Sequence, residues 1–185
     1  MNKLVFLIVI IFLISCNSQH KENCIVPRVV VTYIENNLPD SKIIRDNELM
    51  PNWKNFISPK MDVACPTMLD YDFTNDGYKD FICMLTIKDN TGDFPYLVAF
   101  NNYETSKINH IIIEGIADYG KEYGYGNIIY LAEKGAHYYK DDNIDSDELI
   151  YLPKSMNAFY SIKMESSLAL IFWNNGKYEI RYIGD

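Results

Sequence analysis

Residues 168–183 read LALIFWNNGKYEIRYI and predict a β-hairpin. Two apolar runs flank the segment Asn174-Asn175-Gly176-Lys177, and Asn-Gly is favoured in tight hairpin turns because both residues tolerate a positive φ. Outward from this hairpin, short apolar runs recur along the chain and are separated by Gly, Asn and Asp. This spacing favours an antiparallel meander over parallel strands that are joined by helices.

The predicted strands each contain a short apolar run that is bounded by turn residues. They cover residues 63–69, 80–87, 96–100, 107–114, 127–131, 137–139, 148–152, 158–164, 168–173 and 178–183. Because they follow one another closely after residue 59, we expect one sheet-forming region with no internal repeat and no interdomain linker.

A helical segment precedes the strands. Residues 26–38 read VPRVVVTYIENNL and place Val30, Ile34 and Leu38 on one helical stripe. The β-branched run at residues 29–32 favours a strand instead, but we predict a helix. A second short helix is predicted over residues 46–56, with Trp53 and Phe56 as core anchors.

The predicted fold class is therefore α+β, mainly antiparallel β. A short N-terminal helical segment is followed by a β-meander or sandwich-like sheet, in a single globular domain over residues 26–185. The chain has 185 residues, of which 48% are apolar, so it can bury a core. Fifteen tyrosines raise the aromatic share to 14%, which is typical of β structure.

The charge of the chain bears on its partners. Asp and Glu total 25 against 17 for Lys and Arg, which gives a formal net charge of −8. Because an acidic surface repels phosphate groups, we do not expect nucleic acid as a partner.

The amino terminus has the pattern of an export signal. Residues 1–16 read MNKLVFLIVIIFLISC, in which Lys3 is followed by an apolar run too short to span a bilayer. The segment Leu13-Ile14-Ser15-Cys16 resembles the bacterial lipobox, which implies cleavage before Cys16 and acylation of that residue. The alternative is an ordinary cleaved signal, or an uncleaved anchor, that ends beside a chance Cys.

The lipobox resemblance implies a bacterial cell-envelope protein that a lipid anchor holds to the membrane. Residues 1–15 are then the signal peptide, and residues 16–25 are a lipidated tether. Several acyl chains give a stable anchor. Position 17 is Asn rather than the Asp of an inner-membrane retention signal known in some bacteria. We therefore expect the outer membrane, with the face that the protein occupies left open.

Three cysteines follow Cys16, and they allow one disulfide in three possible pairings. Cys83 lies within an apolar run and can be a small buried residue. We therefore expect Cys24 and Cys65 to form the disulfide. The Cys and His spacings do not resemble those of a zinc site.

The most specific chemical pattern is the acidic loop at residues 70–82, DYDFTNDGYKDFI. Counted from Asp72, oxygen-bearing side chains fall at positions 1, 3, 5 and 9, and Gly falls at position 6. Calcium takes about six to eight oxygen ligands on a curved backbone. The predicted ligands are the side chains of Asp72, Thr74, Asp76 and Asp80 and the carbonyl of Tyr78, with Asp70 as a supplement.

This loop resembles the first nine positions of an EF-hand loop. It resembles more closely the D-x-[NT]-x-D-G-x-x-D segment of FG-GAP and related calcium-loop repeats, which implies a structural Ca²⁺. Position 12 is Cys83 rather than the bidentate Glu of an EF-hand, so we expect weak binding, with a Kd of about 10⁻⁴ to 10⁻³ M. The alternative is an acidic turn whose carboxylates accept backbone amides without a metal.

The wider chain resembles a group of small, mostly uncharacterised bacterial lipoproteins. They carry one D-x-N-G-D-G-like loop after a helical start, and they end in a W-x-x-G-K-[FY] hairpin. Here that hairpin reads WNNGKY at residues 173–178. The resemblance is loose and implies no activity, and the single copy of the loop does not imply a propeller.

A Tyr-rich loop is a candidate recognition site. Residues 118–126 read DYGKEYGYG and place Tyr119, Tyr123 and Tyr125 among glycines. Tyrosine gives a large contact area with a polar tip, which suits recognition of proteins or glycans. The alternative is a turn whose rings cover the sheet.

Patterns of catalysis are not found in the sequence. The three histidines are far apart and share no triad or metal spacing, and no nucleophile elbow or phosphate-binding loop occurs. The acidic run at residues 141–148 could form a second ion site through Asp141, Asn143 and Asp145, but such runs are usually solvated. We therefore do not expect an enzyme.

The sequence predicts a non-catalytic, membrane-anchored module that binds a protein or cell-wall partner. An inhibitor of envelope hydrolases, or an immunity protein against a secreted toxin, would fit the size, the anchor and the acidity. Two alternatives stay open: a calcium-stabilised accessory protein of envelope or polysaccharide maintenance, and a small hydrolase.

Overall fold

The computed structural model describes residues 24–56, 63–89, 92–120, 122–139, 149–164 and 167–184. Within these residues the chain forms antiparallel β-sheets and one short α-helix, which confirms the predicted class of mainly antiparallel α+β. The predicted signal peptide, Cys16 and the acidic run at 141–148 lie outside the described residues.

The α-helix, α1, covers Arg28–Asn37. Pro27 precedes its first turn, where the missing N–H of proline is no loss. Val30 and Ile34 are buried on one face of the helix. The apolar stripe therefore outweighs the β-branched run, and the helix lies within the predicted range of 26–38.

The predicted second helix over residues 46–56 is interrupted. Two 3₁₀ turns, Asp46–Glu48 and Trp53–Phe56, flank Leu49, which forms a bridge to Tyr125. The N–H of Met50 donates to the carbonyl of Tyr125 at 3.0 Å. Met50 also precedes a proline, a position that disfavours the α conformation. Pairing with the Tyr-rich loop thus replaces helical hydrogen bonds here.

The strands are numbered in chain order. They are β1 Lys42–Ile43, β2 Met68–Tyr71, β3 Asp80–Asp89, β4 Gly92–Asn101, β5 Asn109–Gly115, β6 Asn127–Leu131, β7 His137–Tyr139, β8 Leu149–Tyr151, β9 Ala158–Lys163, β10 Ser167–Asn174 and β11 Lys177–Gly184. Strand β1 is absent from the predicted strands. Among the strands that were predicted, the largest departure is at β2, for which the predicted range begins at residue 63. Pro66, which has no N–H to donate to a ladder, delays its start to Met68.

Two antiparallel sheets form most of the described fold. In the first sheet the strand order is β1-β3-β4-β5, and β2 also pairs with β3; in the second it is β11-β10-β9-β6. The predicted hairpin joins β10 to β11, with Asn174 opposite Lys177. Asn175 and Gly176 have φ angles of 49° and 83°, which are the positive values that the Asn-Gly pattern predicts for this turn.

The first sheet lies between α1 and the second sheet. Ile82 and Met84 of β3 belong to an apolar cluster that also contains Phe159 and Ile171 of the second sheet. The alternate residues of β3, including Phe81, belong to a cluster with the buried face of α1. Because successive side chains of a strand point to opposite faces, one apolar run fills both cores.

Candidate functional site

The acidic loop connects two neighbouring antiparallel strands. Strand β2 ends at Tyr71 and β3 begins at Asp80, and these two residues are opposite each other in the register. The chain turns back on itself between them, with Asn75 at a φ of 56° and Gly77 at a φ of 90°. The glycine at position 6 of the predicted loop therefore does occupy the turn.

Asp80 is buried and accepts hydrogen bonds from the backbone. Its Oδ2 accepts from the N–H groups of Phe73 and Thr74 at 2.8 and 2.9 Å, and its Oδ1 accepts from the N–H of Asn102 at 2.9 Å. Burial raises the pKa of this carboxyl, although the three amides act to lower it. The carboxylate of Asp80 thus fixes both the acidic loop and the turn after β4.

Asp72 and Asp76 accept hydrogen bonds from the loop itself. Asp72 accepts from the N–H groups of Asp76 and Gly77 at 3.2 and 3.0 Å, and Asp76 accepts from the N–H of Tyr78 at 3.0 Å. These hydrogen bonds are typical of an acidic turn whose carboxylates accept backbone amides, which is the alternative to a metal site.

The fit of a calcium ion rests on the donor chemistry of this loop. In the part of the chain that the structure describes, no group of three or more His, Cys, Asp or Glu side chains is placed to hold a metal ion. Each carboxylate oxygen of Asp72 takes one N–H and has about two lone pairs, so it keeps acceptor capacity. Calcium binding by Asp72, Thr74, Asp76, Tyr78 and Asp80 stays a prediction.

Asp70, the predicted supplement, has other partners. The hydroxyl of Tyr103 lies 3.1 Å from both of its carboxylate oxygens, and Lys79 Nζ lies 3.4 Å from Oδ2. Burial, together with the negative charge of Asp70, raises the pKa of Tyr103. Asp70 therefore links β2 to the turn after β4.

Asn157 joins the acidic loop to the second sheet, and sequence reasoning missed it. This buried residue precedes β9, and its amide nitrogen donates to the carbonyl of Asp72 and, at 2.8 Å, to Oδ1 of Asn75. Its Oδ1 accepts from Lys134 Nζ. A single Asn before a strand forms no chemical pattern, so only the tertiary structure reveals this contact.

Cys24 and Cys65 form a disulfide whose Cα atoms are 5.6 Å apart. It ties the start of the described chain to the turn before β2. Among the cysteines in the described ranges, Cys83 is buried and carries a free thiol. Burial raises the pKa of this thiol to about 12, so the thiolate that reacts with electrophiles is scarce at neutral pH.

The three tyrosines of the Tyr-rich loop differ in exposure. Tyr123 is 56% exposed and Tyr119 is 37% exposed. Tyr125 instead packs against the apolar cluster between the two sheets, and its N–H donates to the carbonyl of Glu48 at 3.0 Å. Tyr119 and Tyr123 are therefore the accessible tyrosines of this loop.

The described residues of the Tyr-rich loop are held by hydrogen bonds and by close packing. The N–H of Gly124 donates to the carbonyl of Gly120 at 2.8 Å, and the hydroxyl of Tyr119 donates to the carbonyl of Met164 at 3.0 Å. Gly124 has a φ of 78°, and a Cβ there would collide with the carbonyl of Glu48. Position 124 therefore requires glycine.

A cleft of about 340 Å³ lies next to the Tyr-rich loop. Glu114 and Gly115 line it at the end of β5, and Asn127 lines it at the start of β6. Because the Tyr-rich loop lies between these residues in the chain, both ends of the loop are next to the cleft. The rest of its lining comes from the second sheet: Ser161, Lys163, Ser167, Ala169 and Tyr182. The sequence did not predict this cleft, because its residues come from five strands.

The polar groups of the cleft form a chain of contacts. Asn127 accepts from the N–H of Ala117 at 2.9 Å and donates to the hydroxyl of Ser161 at 3.3 Å. Burial raises the pKa of the Glu114 carboxyl, while the nearby Ser161 hydroxyl and the charge of Lys163 act to lower it. Oε1 of Glu114 is buried and has no hydrogen-bond partner within the described ranges.

Comparisons with known proteins give no relative from which a function could be carried over. No protein-family model matches the chain, and no curated protein and no solved structure matches it significantly. The described residues include no helix that is both long and apolar enough to cross a membrane.

Proposed function

We propose that the chain is a lipid-anchored, non-catalytic module of the bacterial cell envelope that binds a protein or cell-wall partner. In this proposal residues 1–15 are the signal peptide, Cys16 carries the lipid, and residues 16–25 tether the domain to the outer membrane. The two sheets form a sandwich-like body, and the acidic loop holds a structural calcium ion. An inhibitor of an envelope hydrolase or an immunity protein is a role of this kind.

The observation that supports binding is an aromatic loop beside a polar cleft, with described residues that are held by hydrogen bonds. A loop that is already ordered loses less conformational entropy when a partner binds. Tyrosine adds a large contact area and a hydroxyl group with few rotatable bonds. Tyr123 has the most exposed ring of the loop, so we expect it to be the main contact residue.

The chemistry of the cleft favours binding over hydrolysis. Most glycoside hydrolases use two carboxylates, whereas Glu114 supplies the one carboxylate among the described residues that line the cleft. The Ser161 hydroxyl contacts Asn127 and the Glu114 carboxyl rather than a histidine base. The alternative of a small hydrolase therefore receives no support from these groups.

A partner is expected to depend on Tyr123. The full chain in detergent is used to capture partners from envelope extract, alongside Tyr123→Ser and the matched variant Tyr151→Ser, whose ring is 64% exposed on β8. We expect the wild-type chain and the Tyr151 variant to retain one stoichiometric partner and the Tyr123 variant to lose it. Equal capture by all three chains, or capture by none, would contradict the proposal.

Acylation of Cys16 can be tested directly. Replacing Cys16 by Ser is expected to abolish incorporation of an alkyne-tagged palmitate and to release the chain from the membrane fraction, because the acylated sulfur is lost. Cys83→Ser is the control and should keep the label. Labelling of the Cys16→Ser chain would show that the lipid is attached to another residue, which would contradict the proposed anchor at Cys16.

Calcium is expected to stabilise the domain. With a Kd of about 10⁻⁴ to 10⁻³ M, about 10 mM Ca²⁺ adds about 1.4–2.7 kcal/mol, which raises the melting temperature by several degrees. Calorimetric titration and thermal melts of the full chain measure this effect. The double variant Asp72→Ala/Asp76→Ala should lose it. No heat and no shift in melting temperature at this concentration would exclude the site.

A further inference from the structure

The lining of the cleft is unusual for a ligand site. Most small-molecule pockets are mainly apolar and have volumes of about 300–1,000 Å³. This cleft has about 340 Å³, but Ala169 and the ring of Tyr182 are the main apolar surfaces among its described lining residues. A ligand that fits it must gain most of its affinity from hydrogen bonds.

The hydrogen-bonding groups that line the cleft are a mixed set. The carboxyl of Glu114 lines the cleft and is an acceptor, and its Oε1 has no hydrogen-bond partner within the described ranges. Lys163 also lines the cleft and is exposed, and its ammonium group is a donor. A ligand must therefore present donors and acceptors close together, and hydroxyl groups supply both on one atom.

The charges of the cleft favour a neutral ligand. Burial raises the pKa of the Glu114 carboxyl, and the positive charge of Lys163, which also lines the cleft, acts to lower it. The lining residues that the structure describes therefore include two opposite charges close together. A cationic side chain that approached Glu114 would be repelled by Lys163, and an anion that approached Lys163 would be repelled by Glu114. A neutral ligand meets neither repulsion.

We infer that this cleft binds a neutral saccharide, with Glu114 and Lys163 contacting its hydroxyl groups and Tyr182 contacting its apolar face. Tyr182 is 53% exposed on β11 and lines the cleft, so its ring is accessible to a sugar. A peptide backbone also presents donors and acceptors, so a neutral tetrapeptide is the competing ligand in the test. The inference rests on the proposed binding function and names the ligand class.

The test uses the full chain in a detergent without a sugar headgroup. Three neutral tetrasaccharides serve as probes: β-1,4-linked N-acetylglucosamine, β-1,4-linked glucose and α-1,4-linked glucose. Saturation-transfer NMR and calorimetric titration up to about 10 mM measure binding. We expect at least one probe to bind with a millimolar or lower Kd, and a neutral tetrapeptide not to bind.

Two variants and a control locate the binding. Glu114→Ala removes the carboxylate from the lining of the cleft and is expected to weaken binding about tenfold or more. Gly115→Leu adds a side chain at the cleft, where a Cβ would meet no atom within 4 Å. We expect this variant to keep the fold, which circular dichroism checks, and to obstruct the cleft. Glu35→Ala, on the exposed side of α1, should leave the affinity unchanged.

The outcomes separate this inference from the proposed function. No binding of any saccharide at this concentration, binding of the tetrapeptide alone, or saccharide binding that neither cleft variant weakens would each overturn the inference. If the saccharides fail while Tyr123-dependent capture of a partner persists, the proposed function stands and the ligand class is wrong. Loss of the Tyr123-dependent capture alone would contradict the proposed function and not the saccharide site.

Discussion

Replacement of Asp80 by Ala is expected to lower the free energy of unfolding by about 3–5 kcal/mol. The substitution removes one carboxylate that accepts three backbone N–H groups, those of Phe73, Thr74 and Asn102. A hydrogen bond to a charged group contributes about 1.5–3 kcal/mol. Phe73 is fully buried, so water does not readily replace its lost acceptor. Urea unfolding followed by circular dichroism measures the difference.

The measurement on Asp80 is made in excess calcium chelator. Under that condition the loss reports the backbone contacts of the carboxylate and not the loss of a bound ion. Asp76→Ala is the matched control, because Asp76 is exposed and accepts a single N–H from the neighbouring turn. Its cost should stay below about 1 kcal/mol. Equal costs for the two variants would show that Asp80 does not organise the loop.

Loss of the disulfide is the second large effect. The double variant Cys24→Ser/Cys65→Ser is expected to lose about 4 kcal/mol, because the bond closes a loop with a sequence separation of 41 residues and restricts the unfolded chain. The same loss should follow when the wild-type chain is reduced. Urea midpoints with and without dithiothreitol measure both effects.

Two controls isolate the disulfide. The double serine variant should unfold at the same urea concentration with and without reductant. Cys83→Ala changes a buried thiol in the first sheet but should keep the full response to reductant. If the wild-type chain shows no response to reductant, the disulfide does not contribute to stability in solution.

Local patterns predicted much of the sheet structure. Residues 80–87 are predicted to be a strand because turn residues bound a short apolar run, and such a run is consistent with a strand that is buried on both faces. The structure places Ile82 in one core and Phe81 in the other. The hairpin at Asn174 was recognised because its turn depends only on the conformations of its own residues.

Contacts between distant segments could not be predicted. The helix expected at residues 46–56 is broken because Leu49 pairs with Tyr125, far along the chain. Asn157 contacts the acidic loop from the second sheet. Glu114 follows three isoleucines and lies at the end of a predicted strand. No local pattern indicates that this strand end lies beside the second sheet, where the Glu114 carboxyl lines the cleft.

The acidic loop shows how a sequence pattern can serve two chemistries. Alternate acidic residues around a glycine are typical of calcium loops, and the same residues are typical of turns whose carboxylates accept backbone amides. Asp72 and Asp80 have such amide contacts. The turn around Gly77 is therefore as the pattern predicts. Titration with Ca²⁺ tests whether the loop also binds an ion.

The central claim is that the Tyr-rich loop contacts a partner at the envelope. A photoreactive amino acid in place of Tyr123, in the full chain in intact cells, tests it most directly, with the same amino acid in place of the exposed Tyr151 as the matched position. We predict a discrete crosslinked adduct, with a protein or a glycan, from position 123 and none from position 151. No adduct from position 123, or the same adducts from both positions, would contradict the claim.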